Sequence, residues 1–441
     1  MTVNISEPLT LPCGLTLPNR LIKAAMTERL ADVRNGVTQR HHTLYRRWGE
    51  GGIGLMITGN VIIDRFNLEA AGNVVIDASP SDEQAAMLTE WSRVAKVQGA
   101  KIMVQLSHAG RQTPKQVNPH PVSASDVALD LPGGLSGQPR AMTSAEIETV
   151  IQRFGQASRI CRETGFDGVQ IHAAHGYLLN QFLSPRSNHR KDEWGGSLQN
   201  RARLLLNVVR ACKAEAGPDF AVSVKLNSAD FQKGGFSAEE SMAVIEMLNA
   251  EGLDFVEISG GTYEQPRMFD TEGLKDAEEP EIKASTRARE AYFLDYAREV
   301  QARANMPLMV TGGFRSAAAM NAALENGEAD LIGLARPLCV DTAGPVQLIS
   351  GEIDHLSSYE KSIRIGPGLF GPTSSLPMLR VVNALASVHW FYHQIHELAD
   401  GKPVDRNKGG LAVFLKFYGL DAKMAKAWRQ QLAADGIVPP P

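Results

Sequence analysis

His172, His175 and Tyr177 put two imidazoles and a phenol within six positions, in the stretch GVQIHAAHGYLLNQF. The run that leads into them, Gly168–His172, is short and apolar, as expected of a strand buried in a parallel sheet. Side chains two apart in a strand share a face, so Gln170 and His172 point one way while Val169 and Ile171 point the other. A lone histidine in such a place is usually a satisfied structural residue. Three polar rings gathered past the carboxyl end of one strand point instead to chemistry. Two ring donors suit capture of a carbonyl or nitro oxygen as negative charge grows on it, and a nearby phenol suits delivery of a proton.

Other polar residues recur at the ends of short apolar runs: Thr27, Thr58 and Asn60, Gln105 and His108, then Ser223, Lys225 and Asn227. Lys225 stands inside Val-Ser-Val-Lys-Leu-Asn, where a cation is costly to bury without an anionic or strongly accepting partner. A salt bridge to a carboxylate of the same core would account for it. Glu257 is the one acidic residue in the expected strands, which weakens that account in favour of a ligand. Two further runs combine small residues with an arginine: Thr311-Gly312-Gly313-Phe314-Arg315 and Gly333-Leu334-Ala335-Arg336-Pro337. Glycines there expose backbone N–H groups, and Arg336 supplies a charge-assisted fork, so a phosphorylated ligand is expected.

The elements that must position these residues repeat. Eight short apolar runs begin near Arg20, Gly54, Lys101, Gly168, Ala221, Phe255, Pro307 and Leu331. Between them lie helical stretches, three opening on capping boxes at Ser81–Gln84, Thr143–Glu146 and Ser237–Glu240, and a fourth capped by Ser197. Gly99, Gly165 and Gly252 close helices directly before strands, where a left-handed residue without a Cβ is favoured. Strand, helix and glycine turn, repeated eightfold, predict an α/β fold of the (β/α)8 TIM-barrel type. A doubly wound open sheet is the alternative, but no G-x-G-x-x-G follows any expected strand. A hairpin around Cys13-Gly14 precedes the barrel, which is expected over residues 1–344. Residues 345–441 read as a helical extension, with apolar stripes at Leu379–His393 and Leu411–Leu432, packing on the barrel or forming a subunit contact. The charged stretch 262–290 reads as a long loop on the active face.

Composition narrows the function classes. A net charge of −4 gives no electrostatic case for nucleic acid or an anionic membrane surface. No apolar run approaches the roughly 20 residues that span a bilayer. The start lacks a signal-peptide pattern, and the four cysteines form no C-x-x-C pair. These features predict a cytoplasmic enzyme without a metal centre, acting on a small molecule, with a homo-oligomer left open.

The blocks His172-Ala-Ala-His175-Gly-Tyr177-Leu-Leu-Asn180-Gln and Val104-Gln105-Leu106-Ser107-His108-Ala109-Gly110-Arg111, set in order on an eightfold pattern, resemble the old yellow enzyme family of FMN-dependent ene-reductases. The resemblance runs from about Leu9 to Pro337. It implies FMN bound tightly and non-covalently at the barrel mouth, re-reduced by NADH or NADPH. Ala24, Ala25, Met26 and Thr27 would line the ring, with Gly59 against it and Gln105 at its pyrimidine side. Lys225 would stand by the N1–C2 edge, where many members have arginine. Gly312, Gly313, Ala335 and Arg336 would hold the phosphate. His172 and His175 would grip the activating oxygen of an electron-poor alkene, and Tyr177 would donate the proton. Thr58-Gly59 replaces the more usual Glu-Ala, and Thr27 takes a position held by cysteine in one branch. The implied activity is reduction of activated C=C bonds in unsaturated carbonyls and nitroalkenes. A flavin-dependent amine dehydrogenase or demethylase, an NADH oxidase, or a barrel that binds a phosphorylated ligand without turnover are the alternatives.

Overall fold

In the computed structural model, residues 3–129, 136–259 and 294–438 are described. Eight parallel strands close on themselves: β1 (Leu21–Lys23), β2 (Leu55–Ile62), β3 (Lys101–Ser107), β4 (Gly168–Ala173), β5 (Ala221–Asn227), β6 (Phe255–Ser259), β7 (Leu308–Thr311) and β8 (Leu331–Leu334). Each pairs with the next, and β8 returns to β1 through Ile332↔Leu21, which closes the barrel; a two-residue strand, Val74–Val75, adds parallel to the end of β2. The (β/α)8 reading holds. The charged stretch 262–290 lies outside the described residues.

The main intervening helices are α1 (Gln39–Glu50), α2 (Asp82–Ala95), α3 (Ser144–Glu163), α4 (Leu198–Ala216), α5 (Ala238–Leu248), α6 (Leu294–Gln301) and α7 (Ala317–Glu325), with α8 (Gly344–Ser350) after the last strand; a short helix, Leu178–Leu183, follows Tyr177. All three capping boxes form, and the Ser197 hydroxyl accepts from Asn200 N–H. Gly252, at φ +62, makes the left-handed turn into β6 that a side chain would strain.

Two layers of core hold the barrel. Outward-facing strand residues such as Val169, Ile171, Val222 and Val224 pack with Phe154, Leu204 and Val208 of the surrounding helices. Inside, Ile22, Leu55, Ile57, Met103, Phe255 and Met309 fill the barrel, each contributing roughly 1.5–3 kcal/mol by leaving water. A hairpin, Leu9–Thr10 with Thr16–Leu17, closes the amino-terminal end: Leu11 and Leu17 enter the interior cluster, and Cys13 N–H donates to the Asp254 carboxylate at 2.8 Å. With that end plugged, side chains reach solvent at the carboxyl end.

Two long helices follow, α9 (Pro377–Ala399) and α10 (Gly410–Ala434). Trp390, Phe391, Ile395 and Leu398 of α9 join the main core, while Trp428 and Leu432 of α10 pack on Ile62 and Leu68 beyond β2. Both helices run past the apolar stripes that foretell them. The first strand is shorter than expected: Ala24 N–H still donates to Leu334 O at 2.8 Å, after which the chain leaves the barrel wall. Strand β8 also ends early, at Leu334, because Pro337 carries no N–H and the chain turns into a short 3-10 helix, Arg336–Cys339.

Candidate active site

Strand β4 delivers His172 to the mouth, and the turn after it brings the other two rings back. His172 and His175 lie with ring centroids 5.2 Å apart, and His172 and Tyr177 with centroids 4.7 Å apart, both edge to face. The turn depends on His175, which sits at φ +60, a conformation that costs a side-chain-bearing residue about 1–3 kcal/mol. Three bonds hold it. His175 N–H donates to Asn227 Oδ1 (3.0 Å), its carbonyl accepts from Gln112 (2.8 Å), and its ring Nε2 lies 2.7 Å from Ser259 Oγ.

The imidazoles are held neutral. Burial pushes both well below the usual histidine range, and the Lys225 cation adds to the effect. In His172 the backbone N–H of Ala174 donates to Nδ1 at 3.2 Å, so the proton of the neutral ring sits on Nε2 as a donor. His175 has less freedom, since Ser259 of β6 already engages its Nε2.

Tyr177 is buried, and its phenol oxygen accepts from Asn60 Nδ2 at 3.2 Å. The same amide lies 3.4 Å from Thr27 Oγ1, tying the loop after β1 to the proton-bearing ring. Asn60 is among the polar strand exits noted in the sequence, but its part as a link between Thr27 and Tyr177 was not legible there.

Lys225 meets a carboxylate inside the barrel. The strand pairing sets Lys225 opposite Glu257, and Nζ lies 2.8 Å from Oε1, with both side chains almost fully buried. The contact is an ion pair set off the axis of a hydrogen bond, since Oε1 is not a well-aligned acceptor. Of the two readings of Lys225, the salt bridge within the core describes this contact, with Glu257 as the carboxylate. Glu257 also accepts from Gln170 (2.8 Å), whose carbonyl accepts from Gln105 (2.7 Å). A second buried pair escaped the sequence reading altogether. Lys23 Nζ donates to Ile57 O at 2.8 Å, lies 3.6 Å from Glu28 and stands over the Trp48 ring at 4.5 Å. Glu28 in turn accepts from Gly59 N–H at 3.1 Å and from the Tyr45 hydroxyl.

At the far side of the mouth, Gly312 and Gly313 take φ values of +127 and +87, backbone that only glycine adopts freely. Arg336 is half-buried beside them in the β8 exit, with Glu360 at 3.7 Å; Glu360 also pairs with Arg315 at 2.7 Å. Ala25, Met26, Thr27, His175, Gly312, Gly313, Ala335 and Arg336 are all half-buried, in contrast to the sealed strands that carry them. Ala24, Gly59, Gln105, His172 and Lys225 lie deeper. A Cβ on Gly59 would stand 2.4 Å from Met26 O and 2.8 Å from Thr27 Cα, so the two backbones touch there. The donor set suits a flat phosphorylated cofactor. A cation and amides line the deep side, and glycine N–H groups with a guanidinium lie at the rim. Thr311 Oγ1 is buried without a protein partner.

Residues 4–353 match the model of the NADH:flavin oxidoreductase / NADH oxidase family. The chain belongs to this family. It is an FMN-dependent, NAD(P)H-linked flavin oxidoreductase of the old yellow enzyme type. The NADH-dependent flavin oxidoreductase iliE of Hypocrea jecorina (strain QM6a) is 37% identical over 359 residues, covering 78% of this chain and 88% of that protein. The structure of morphinone reductase in complex with tetrahydroNAD is 26% identical with a TM-score of 0.64, covering 81% of this chain and 93% of that one. In fold the chain also matches the old yellow enzyme homologue from Zymomonas mobilis, with a TM-score of 0.67 at 24% identity, over 82% of this chain and 97% of that one. Helices α9 and α10 lie beyond the family match. Among the described residues no helix is long and apolar enough to cross a membrane.

Proposed function

We propose that this oxidoreductase reduces C=C bonds conjugated to a carbonyl or nitro group. When bound, FMN supplies hydride to the alkene and takes hydride from the nicotinamide. Gln105 and Lys225 hold the deep edge of the ring, Ala24–Thr27 and Gly59 line it, and Gly312, Gly313, Ala335 and Arg336 take the phosphate. The neutral His172 donates from Nε2 to the substrate's activating oxygen, where negative charge grows in the transition state; one preorganised donor of this kind is worth about 3–4 kcal/mol. His175 completes the grip, steadied by Ser259. Tyr177 gives its proton to the α-carbon, and Asn60 then donates to the phenolate left behind. The observation that carries this reading is the neutral His172 ring, its proton on Nε2, packed edge-on against Tyr177.

The test separates the two half-reactions. In Tyr177→Phe, alkene reduction falls on the order of a hundredfold or more while NAD(P)H reduction of the flavin changes little. Equal slowing of both would remove Tyr177 as donor. Oxidase chemistry is the second reading, because the family's description includes NADH oxidases. Turnover with dioxygen faster than with cyclohexenone or a nitroalkene would favour it, and turnover of dimethylamine or trimethylamine would favour an amine dehydrogenase. Residues 345–441 act in this scheme as an extension that holds the loop after β1, and the enzyme works in the cytoplasm.

A further inference from the structure

Four neighbouring strands each contribute one buried polar side chain to a single row: Gln105 from β3, Gln170 from β4, Lys225 from β5 and Glu257 from β6. Their exposures are 2%, 0%, 4% and 0%, so water does not offset whatever charge or orientation the row carries. The row has a direction. An ionised carboxylate only accepts, so Gln170 must turn its NH2 group to Glu257, as it does at 2.8 Å. That leaves the Gln170 carbonyl facing Gln105, which must answer with one of its own N–H groups, at 2.7 Å. Gln105 thereby keeps its carbonyl oxygen and second N–H for another partner. An amide alone could sit either way round; the carboxylate two residues along removes the choice.

The row also has a charge. Lys225 is the cation that both imidazoles feel, and Glu257 at 2.8 Å offsets part of its charge. A neutral pair and a bare buried ammonium differ greatly in the field they set up over a few ångströms in a water-poor site.

We propose that Glu257 is a positioning residue for the flavin: it fixes the amide polarity of Gln105 through Gln170, and it offsets Lys225 so that the flavin is held at a lower reduction potential than a lone lysine would set. This rests on the flavin being seated against Gln105 and Lys225. Reduction adds electron density to the ring, and an uncompensated cation beside it favours the reduced form. The carboxylate therefore keeps the bound reduced flavin a better hydride donor.

The experiment uses the FMN-loaded full chain. Three variants, Glu257→Gln, Lys225→Met and the double Lys225→Met/Glu257→Gln, are compared with wild type for midpoint potential by dye equilibration. FMN affinity is measured separately by fluorescence titration of the stripped protein. Glu257→Gln should favour reduced over oxidised FMN by at least tenfold, about +30 mV for a two-electron couple. Lys225→Met should shift the potential the opposite way, and the double variant should return within threefold of wild type. Gln170→Leu, which cuts the relay and leaves both charges, should weaken FMN binding at least fivefold with the potential unchanged. If Glu257→Gln does not fold, the double variant decides the matter, because it buries no unpaired charge. A double variant shifted tenfold from wild type overturns the inference, as does a Glu257→Gln protein whose potential stays at the wild-type value. Wild-type chain that takes up no FMN would instead overturn the flavin reading, a result distinguishable from either.

Discussion

Among the described residues the barrel buries two lysine–glutamate pairs, and they are built differently. Lys225 and Glu257 are strand neighbours in register, 2.8 Å apart, and the carboxylate continues into a chain of amides. Lys23 and Glu28 are 3.6 Å apart and belong to one strand and the loop that leaves it. Lys23 is steadied mostly by other groups: the Ile57 carbonyl at 2.8 Å and the faces of Trp48 and Tyr45 at 4.5 and 5.2 Å. Burial draws its ammonium below the ordinary lysine range, with Glu28 opposing the shift. Each pair also has two neutral histidines near it. His172 and His175 flank Lys225, while His396 Nε2 lies 3.0 Å from the backbone carbonyl oxygen of Glu28 and His41 shares a small cavity with Glu28. The carbonyl offers only an acceptor, so His396 Nε2 is the donor. One pair thus feeds a row of amides where the proposed flavin would sit, and the other anchors the wall. Lys225–Glu257 passes orientation to Gln105, whereas Glu28 spends its carboxylate on Gly59 N–H and Tyr45, fixing the backbone against which a flavin would lie.

The sharpest way to break this contrast is to remove each negative charge. Glu28→Gln leaves Lys23 without a counter-ion in a fully buried place, and should cost roughly 3–5 kcal/mol of stability near neutral pH, read by denaturant unfolding. The loss should shrink as pH rises toward the unfolded lysine value, because an uncharged amine needs no partner. Lys23→Met, of similar volume, should cost much less, since Glu28 keeps its Tyr45 and Gly59 donors. A Glu28→Gln loss below about 1 kcal/mol would mean that the pair carries little charge coupling and that Lys23 is held by the Ile57 carbonyl and its aromatic neighbours.

What was legible in the chain follows the same divide. The eight strands, the capping boxes, the closing hairpin and both tail helices follow from local pattern, because each is dictated by residues within a turn or two of one another. Lys225 stood out for the same reason, as a cation inside an alternating strand. Its pairing with Glu257 did not, because it depends on β5 and β6 lying side by side in a register that sets residues 225 and 257 opposite. Lys23 was harder still. Its surroundings come from β2, α1 and a loop, and nothing in Leu-Ile-Lys-Ala-Ala announces that Trp48 and Tyr45 will close over it. Ser259 and Asn60 belong with it: short polar side chains at strand ends whose partners, His175 and Tyr177, are reached only through the fold.

A smaller effect tests whether the anchoring side is as dry as the ligand side. Burial takes His41 and His396 down to about 3. Each unfolded imidazole binds a proton below about pH 6.5 while its folded counterpart does not, so stability falls as pH drops from about 6.5 toward 3, by about 1.4 kcal/mol per pH unit for each group. His41→Gln removes one such group and keeps a side chain able to complete the capping box with Thr38. Unfolding free energies at pH 7 and pH 5 should then differ by about 2 kcal/mol less in the variant than in wild type. An unchanged difference would show that His41 already exchanges its proton in the native state.

The smallest effect concerns how the tail reaches the site. Arg29, one residue beyond Glu28, lies at φ +57 and is held by Glu69 at 3.2 Å, by Asp421 of α10 at 2.7 Å, and over the Tyr392 ring of α9 at 4.6 Å. Asp421 is about a third exposed, so solvent screens its share, and Asp421→Asn should cost only about 0.5–1 kcal/mol of stability. Its reach should nonetheless include the mouth, because Arg29 continues the loop that carries Met26 and Thr27. A two- to threefold loss of FMN affinity alongside that small destabilisation would tie α10 to the anchoring pair. Unchanged affinity would confine the tail to packing, with Glu69 and Tyr392 sufficient to hold Arg29 in its left-handed turn.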